Sequence, residues 1–426
     1  MKRIIICMDG TWQTLNQARH TNIAIIARSV AHKETLPDGT HIHQHVIYSQ
    51  GVGSTVGALE EAGFFGNLIY RTTRLFGGAF GEGLEDIIVE TYLSLAFVYE
   101  EGDEIYIFGF SRGAFAARRL AGFISVAGIV SRRHAERARE GFRLYYRAPR
   151  EDAPQAEKDS HADQARAFRI RYGKGTRDET GARRAIDRAP PITYVGVFDT
   201  VAQRGMGEVV KSYFSTKNKD RYRLKNRRLA SNVRAARHAV AVDECRAGFP
   251  VTLWDGLEEE NTRSGRTAYL QRWFVGYHGD VGGGGREALS AGSLKWITDG
   301  AAAEGLRFYG TEGGDTSPLA EAVAKAAFDA RPDRPTFVRS LNMMNWPIRP
   351  RQVWPKTSGR DRKHPSVSDL EAMFDEALLA RASKQELKYR PGALRPFRKA
   401  FAERAGRTKS VAAEPAAPPI ENPPAA

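Results

Sequence analysis

The sequence predicts an α/β fold in which a mainly parallel sheet is flanked by helices. Short runs rich in β-branched and aromatic residues alternate with segments of helical periodicity, which is typical of parallel sheets. Of the 426 residues, 42% are hydrophobic, so the composition is that of a folding chain. A chain of this length can bury one large core or two modest ones.

Five short apolar runs predict buried parallel strands, and a sixth run is a further candidate. In chain order the five are 3–7, 45–49, 104–108, 192–198 and 273–277, and the sixth is 238–242. Between them, apolar side chains recur at helical spacing over 21–32 and 84–99. The carboxyl ends of the strands are where such sheets build their active sites.

Two regions interrupt the alternation. Residues 131–189 are highly charged without sustained periodicity, so we interpret them as an insertion that acts as a lid, a cap or a partner surface. The main domain then spans residues 1–335, and residues 336–410 form a basic C-terminal extension with one predicted helix at 368–382. Residues 411–426 form an Ala/Pro-rich tail that we expect to be disordered.

A Gly-Phe-Ser-Arg-Gly turn follows the predicted strand 104–108 and precedes a stretch of small and helix-forming residues. In this order of strand, turn and helix, the two glycines relieve crowding and the serine projects above the sheet as a nucleophile. The pattern therefore predicts an α/β-hydrolase-like fold with Ser111 as nucleophile. The alternative is an ordinary turn, because the five-residue pattern is common.

A nucleophilic serine needs a histidine base and a carboxylate that orients the imidazole, and in α/β-hydrolases both follow the serine, acid first. Asp199 ends the strand 192–198 and is the preferred acid, with helix capping as the alternative role. His278 follows the strand 273–277 and opens a glycine-rich loop, so it is the predicted base rather than a core or surface histidine. Asp280 and Asp243 stay open as alternative acids.

Two backbone N–H groups are needed to bind the oxyanion of an acyl-transfer intermediate. Arg112 directly follows the nucleophile and is predicted to supply one at the helix N-terminus. The second is assigned from topology to Gly10 or Thr11, which follow the first strand. We expect neither a metal nor an organic cofactor.

A second motif competes with this interpretation. The segment 7–11 resembles the Asp-x-Asp-Gly-Thr start of haloacid-dehalogenase-type phosphatases, but Cys7 occupies the position of the nucleophilic aspartate. Cys7 and Cys245 lie outside any C-x-x-C pair, so a zinc site or a disulfide framework is not expected either.

The formal net charge of the chain is +14. The arginine-rich composition alone explains this charge, and attraction to an anionic membrane surface is the next hypothesis. No nucleic-acid-binding motif accompanies the basic residues, so we expect no nucleic-acid partner. The apolar runs are too short for a membrane-spanning helix or a cleaved signal peptide, and we expect synthesis in the cytoplasm.

Together these segments resemble the type VI secretion phospholipase-effector-like α/β-hydrolases. Gly-Phe-Ser-Arg-Gly-Ala is more specific to that family than the bare serine motif. The matching pieces lie within residues 3–310, at 7–12, 50–53, 102–105, 109–114, 198–201, 242–244 and 278–284.

The resemblance implies that residues 1–335 are a catalytic domain with a Ser111–Asp199–His278 triad that hydrolyses phospholipid acyl esters. It also implies a secretion or immunity partner protein and export without a signal peptide. Two alternatives stay open: a cytoplasmic esterase or thioesterase for small soluble substrates, and a non-catalytic interaction module that keeps the fold.

Overall fold

A computed structural model of the protein describes residues 1–10, 19–51, 80–177, 183–184, 186–201, 227–246, 249–310, 316–325, 351, 367–383 and 392–412. Seven strands form its central sheet: β1 (Arg3–Met8), β2 (Lys33–Thr35), β3 (His41–Ser49), β4 (Glu104–Phe110), β7 (Tyr194–Phe198), β8 (Ala236–Ala241) and β9 (Tyr269–Phe274). Two further strands, β5 (Thr176–Arg177) and β6 (Arg183–Arg184), form a separate antiparallel pair.

The order of strands in the central sheet is β2-β3-β1-β4-β7-β8-β9. All neighbouring pairs are parallel except β2 and β3, which are antiparallel at one edge. The carboxyl ends of β4, β7 and β9 therefore lie on the same side of the sheet, and these ends carry the predicted nucleophile, acid and base.

The described α-helices are α1 (Asn22–Ser29), α2 (Phe80–Val98), α3 (Arg112–Ala127), α4 (Ala138–Tyr146), α5 (Gln155–Tyr172), α6 (Leu257–Ser264), α7 (His278–Gly282), α8 (Glu287–Ala303), α9 (Pro318–Ala324), α10 (Val367–Met373), α11 (Glu376–Ser383) and α12 (Arg398–Ala412). Two 3-10 helices cover Arg132–Arg137 and Gly392–Phe397. Within the described ranges, no helix has the length and apolar character needed to cross a membrane.

Helices cover both faces of the sheet because the buried strands are apolar on both sides. Side chains alternate across β1: Ile4 and Ile6 join the core formed with α2 and α3, whereas Ile5 and Cys7 join the core formed with α1 and α8. This arrangement confirms the predicted α/β-hydrolase-like class, a mainly parallel sheet flanked by helices.

All six predicted strands are present, with shifted ends. The largest shift is in β9, which was predicted at 273–277 but covers Tyr269–Phe274. Gly276 takes a φ of +113°, so the chain leaves the strand before His278. The edge strand β2 was not predicted, because its three polar residues carry no apolar signal.

In its described residues, the charged insertion 131–189 contains the 3-10 helix Arg132–Arg137 and the helices α4 and α5, which the sequence interpretation did not include. Phe142 of α4 and Phe168 of α5 are buried in the core beside α3. Few other residues of α5 are buried, which explains the weak periodicity of this segment. Its role as a lid or partner surface stays a prediction.

The C-terminal extension packs against the edge of the sheet. Phe374 and Leu370 are buried in a core with Trp273 of β9. The single helix predicted at 368–382 is wrong: α10 ends at Met373, and the Asp375 N–H donates to Trp273 O at 3.0 Å before α11 begins. The tail predicted at 411–426 lies outside the described residues beyond 412.

Candidate active site

Ser111 lies in a strained turn between β4 and α3. Its φ of 58° lies in the left-handed region, with ψ at −119°. Among the described residues, Asp199, with φ at 41°, is the other non-glycine residue with positive φ. Such conformations cost on the order of 1–3 kcal/mol each and cluster at functional sites. The two strained residues are the predicted nucleophile and the predicted acid.

The glycines on either side of Ser111 are required by close contacts between backbone segments. A Cβ on Gly109 would lie 2.5 Å from Gly113 O, and a Cβ on Gly113 would lie 2.1 Å from Met8 O. The first distance reflects the sharpness of the turn. The second shows that α3 begins directly against the end of β1.

A continuous hydrogen-bonded chain joins the three predicted triad residues. His278 Nε2 lies 2.8 Å from Ser111 Oγ, and His278 Nδ1 lies 2.6 Å from Asp199 Oδ2. With its proton on Nδ1, the imidazole donates to Asp199 and accepts from the serine hydroxyl. All three residues are buried, with Ser111 6% exposed and His278 7% exposed.

Asp199 is held by hydrogen bonds to the neighbouring strand β8. Its N–H donates to Ala239 O at 2.7 Å, and its Oδ1 accepts from the Ala241 N–H at 3.0 Å. The next residue, Thr200, donates its N–H to His238 Nε2 at 3.1 Å. These backbone contacts with β8 orient the carboxylate towards His278.

The His278 ring lies between two aromatic side chains. Its centroid is 4.7 Å from that of Phe110 and 5.1 Å from that of Phe249. The backbone N–H of His278 donates to the buried carboxylate of Glu244 at 3.3 Å. Gly282 is required here, since a Cβ would lie 1.9 Å from the Phe110 ring.

Arg351, from the C-terminal extension, completes the surroundings of Asp199. Its Nη1 donates to Asp199 Oδ1 at 2.5 Å and its Nη2 donates to Asp199 Oδ2 at 2.9 Å. A second ion pair lies nearby, where the Arg246 guanidinium binds Glu244 through Nε at 2.8 Å and Nη2 at 2.7 Å.

These contacts set the pKa values of the site. Burial would raise the pKa of Asp199, but the charge of Arg351 and the hydrogen bond from His278 outweigh it and hold that pKa far below its usual range. Burial lowers the pKa of His278, and Asp199 offsets only part of this effect. The acid is therefore ionised while the imidazole is neutral, as a serine hydrolase requires.

The alternative acids lie elsewhere. Asp280 accepts from the Tyr277 N–H at 2.9 Å and from the Arg286 N–H at 3.0 Å, so it shapes the loop that carries His278. Asp243 Oδ2 accepts from the Gly276 N–H at 2.7 Å. The structure thus brings Asp199, rather than Asp280 or Asp243, to the imidazole.

The two predicted oxyanion donors have different surroundings. Arg112 is the first residue of α3, and the first N–H groups of a helix have no acceptor within it. The Gly10 N–H donates to Asp9 Oδ1 at 2.6 Å, so it would have to rotate to reach an oxyanion. Thr11 lies outside the described residues. Both oxyanion assignments stay predictions.

Asp9 has a structural environment of its own. Its buried carboxylate also accepts from Thr21 Oγ1 at 2.7 Å and from Tyr48 Oη at 2.6 Å. Burial raises its pKa more than these donors lower it. Among the described residues, no group of three His, Cys, Asp or Glu side chains is arranged to hold a metal ion.

Sequence reasoning missed three residues beside the triad. Arg351 was one arginine in a basic extension with no local pattern. Glu244 follows Asp243 in a segment that carried part of the family resemblance, but that resemblance assigned it no role. Phe249 gave no signal at all.

Residues 2–300 match the family model described as "T6SS, Phospholipase effector Tle1-like, catalytic domain". The chain belongs to this family. Arg351 lies outside the matched range.

One curated relative is the uncharacterized protein YEL023C of Saccharomyces cerevisiae, 30% identical over 249 residues. That match covers 58% of this chain and 32% of the yeast protein, so the chain spans about a third of that relative's length.

Two solved structures are also similar. An uncharacterized protein from Pseudomonas aeruginosa has 16% identity and a TM-score of 0.37, over 77% of this chain and 49% of that one. A Tle1 effector bound to the VgrG spike of the type 6 secretion system has 18% identity and a TM-score of 0.30, over 66% and 52%. At these scores neither bears on the site.

Proposed function

We propose that the protein is a serine hydrolase that cleaves phospholipid acyl esters through an acyl-enzyme. The observation that carries the proposal is the hydrogen-bonded chain from Ser111 through His278 to Asp199. Ser111 lies in a strained turn, directly before the N-terminus of α3. Family membership supports the lipid substrate class.

The chemistry follows from the positions of these groups. Ser111 Oγ attacks the ester carbonyl carbon while His278 Nε2 accepts the hydroxyl proton. The Arg112 N–H and a second donor near Gly10 bind the oxyanion. As the intermediate collapses, His278 returns the proton to the departing alcohol oxygen and the acyl group stays on Ser111.

Water completes the reaction in a second addition. His278 removes a proton from the water molecule that attacks the acyl-enzyme, and then protonates Ser111 Oγ as the fatty acid leaves. Asp199 stays ionised throughout and stabilises the imidazolium that forms twice in each cycle.

Fluorophosphonate labelling tests the nucleophile. The wild-type protein should be labelled, Ser111→Ala should not, and Ser94→Ala, which removes an exposed serine hydroxyl on α2, should behave as wild type. No labelling of the wild type would favour the non-catalytic interaction module, and equal labelling of Ser111→Ala would refute the assigned nucleophile.

Substrate class needs a separate experiment. Vesicles of anionic phospholipid are incubated with wild-type protein and Ser111→Ala, and released fatty acids are compared with hydrolysis of soluble esters of increasing acyl length. A lipase should favour long chains presented at an interface, and the charge of +14 should make the rate fall with salt. Preference for short soluble esters would identify the esterase or thioesterase alternative.

The secretion context is also part of the proposal, supported by the family description. We propose that the protein is made in the cytoplasm, exported, and recognised by a secretion or immunity partner. Directing it to the periplasm of a test bacterium should slow growth when Ser111 is present and not when it is alanine. Equal growth of the two strains would argue against an effector role.

A further inference from the structure

The Arg351 guanidinium is bound by four acceptors inside the candidate active site. Two are the oxygens of Asp199, and two are backbone carbonyls: Ala241 O, 2.8 Å from Nη1, and Phe249 O, 2.9 Å from Nη2. The Arg351 side chain is 6% exposed and that of Asp199 is fully buried. Arg351 and Asp199 therefore form a buried bidentate ion pair, and the two backbone carbonyls hold the guanidinium in place. An exposed surface ion pair has neither feature.

The geometry fixes the rotation of the Asp199 carboxylate. Oδ1 receives the Ala241 N–H together with Arg351, and Oδ2 receives His278 together with Arg351. A carboxylate held by the planar fork of a guanidinium cannot rotate without breaking both bonds. The oxygen that binds the imidazole is therefore held in place independently of the imidazole.

Arg351 is one of two buried guanidinium groups that pair with carboxylates beside His278. Asp199 and Glu244 supply two negative charges, while Arg351 and Arg246 supply two positive charges. Asp280, on the same turn as His278, is bound by two backbone N–H groups. Arg351 and His278 bind the same oxygen of Asp199, which places the cation within about 6 Å of the imidazole.

We propose that Arg351 is a positioning residue of the catalytic centre. It holds the Asp199 carboxylate in a fixed orientation, and it offsets the negative charge of Asp199 so that His278 stays neutral and able to accept the serine proton. The inference rests on the proposed serine hydrolase function. It adds a residue from outside the matched catalytic domain to the active site.

Two substitutions separate the geometric effect from the charge effect. Arg351→Gln removes the cation, so the buried negative charge of Asp199 should favour the imidazolium and move the acidic limb of the pH–rate profile upward by about 1–2 pH units. Arg351→Lys keeps the cation but loses the fork, so its acidic limb should stay near that of wild type while its maximal rate falls roughly tenfold. The readout is the rate of Ser111 labelling as a function of pH.

The control is Arg395→Gln, which removes an exposed arginine of the same C-terminal extension and should leave the profile unchanged. Methylguanidinium, added well below denaturing concentrations, should restore part of the labelling rate of an Arg351→Ala protein and should leave the rate of Arg395→Gln unchanged. Circular dichroism establishes that each variant is folded.

An Arg351→Gln protein with the wild-type profile overturns the inference, and so does an Arg351→Lys protein that fails to fold, because that change removes hydrogen bonds and no charge. Both outcomes leave the hydrolase proposal intact if Ser111 of the wild type is still labelled. If the wild type itself is not labelled at Ser111, the proposed function fails first.

Discussion

Replacing Gly113 by alanine adds a methyl group where α3 meets the end of β1. The new Cβ would lie 2.1 Å from Met8 O and 2.4 Å from Asp9 O. Cβ atoms essentially never lie within 3.0 Å of another residue's heavy atoms, so the start of the helix must retreat by about 1 Å. Both neighbours are backbone atoms of a buried strand end, which leaves the helix as the part that moves.

The expected effects follow from that displacement. Overpacking costs about 1–3 kcal/mol, and the higher helix propensity of alanine offsets at most about 1 kcal/mol. We therefore expect the free energy of unfolding to fall by up to about 3 kcal/mol. A displacement of about 1 Å between Ser111 and His278 should lower the rate of Ser111 acylation about 100-fold.

Gly292→Ala is the matched control, because it adds the same methyl group to α8, where nothing lies within 4 Å. That variant should be more stable than wild type by about 0.5–1 kcal/mol and equally reactive. Urea unfolding and the fluorophosphonate labelling rate measure the two effects separately. A Gly113→Ala protein as stable and as reactive as Gly292→Ala would refute the argument that backbone contact positions the nucleophile.

The remaining predictions concern other parts of the same structure. The rate of Ser111 acylation should rise with pH through the His278 pKa, because only the neutral imidazole accepts the proton. Burial should place the midpoint of this rise below the usual histidine pKa of about 6.5. A midpoint above 7 would contradict the assignment of His278 as the base. Asp199→Asn should lower kcat on the order of 10⁴-fold in the fraction that circular dichroism shows to be folded, and a change under tenfold would exclude Asp199 as the acid. Asp9→Asn should lower the free energy of unfolding by about 1–3 kcal/mol, since Thr21, Tyr48 and Gly10 share its carboxylate; magnesium-dependent phosphate release that survives Ser111→Ala but not Asp9→Ala would instead support the phosphatase alternative. Phe374→Ala should destabilise the protein by about 3–5 kcal/mol in urea unfolding, because Phe374 is 1% exposed beside Phe397, and a change below 1 kcal/mol would show that the extension is not docked as described.

The sequence allowed the fold class and the approximate strand positions to be predicted because buried parallel strands leave a local apolar signal. The run at 104–108 is one example, and β4 extends it only to Phe110. Local patterns fail where the controlling contact is distant. The predicted helix at 368–382 is interrupted because Phe374 pairs with Trp273, about a hundred residues earlier in the chain.

The same distinction between local sequence patterns and distant contacts applies to the candidate site. Ser111, Asp199 and His278 could be proposed because each follows an apolar strand, and parallel strands bring their carboxyl ends together. Position after a strand favoured Asp199 as the acid but left Asp280 open as an alternative. The structure separates them by their hydrogen bonds: the Asp280 carboxylate accepts from the Tyr277 and Arg286 N–H groups, whereas the imidazole binds Asp199.

The residues that surround the candidate active site extend beyond the part of the chain that matches the family model, and Arg351 is the example. The family match ends at residue 300, yet the buried carboxylate of Asp199 takes its compensating cation from residue 351. Removing the extension would leave that charge unpaired, and would also expose Trp273 and Val275, which pack against it. A truncated protein would thus fail for two reasons at once: a buried charge without a partner and an uncovered sheet edge. Substituting Arg351 alone keeps the edge covered, so any loss of reactivity that follows belongs to the charge and geometry of the site.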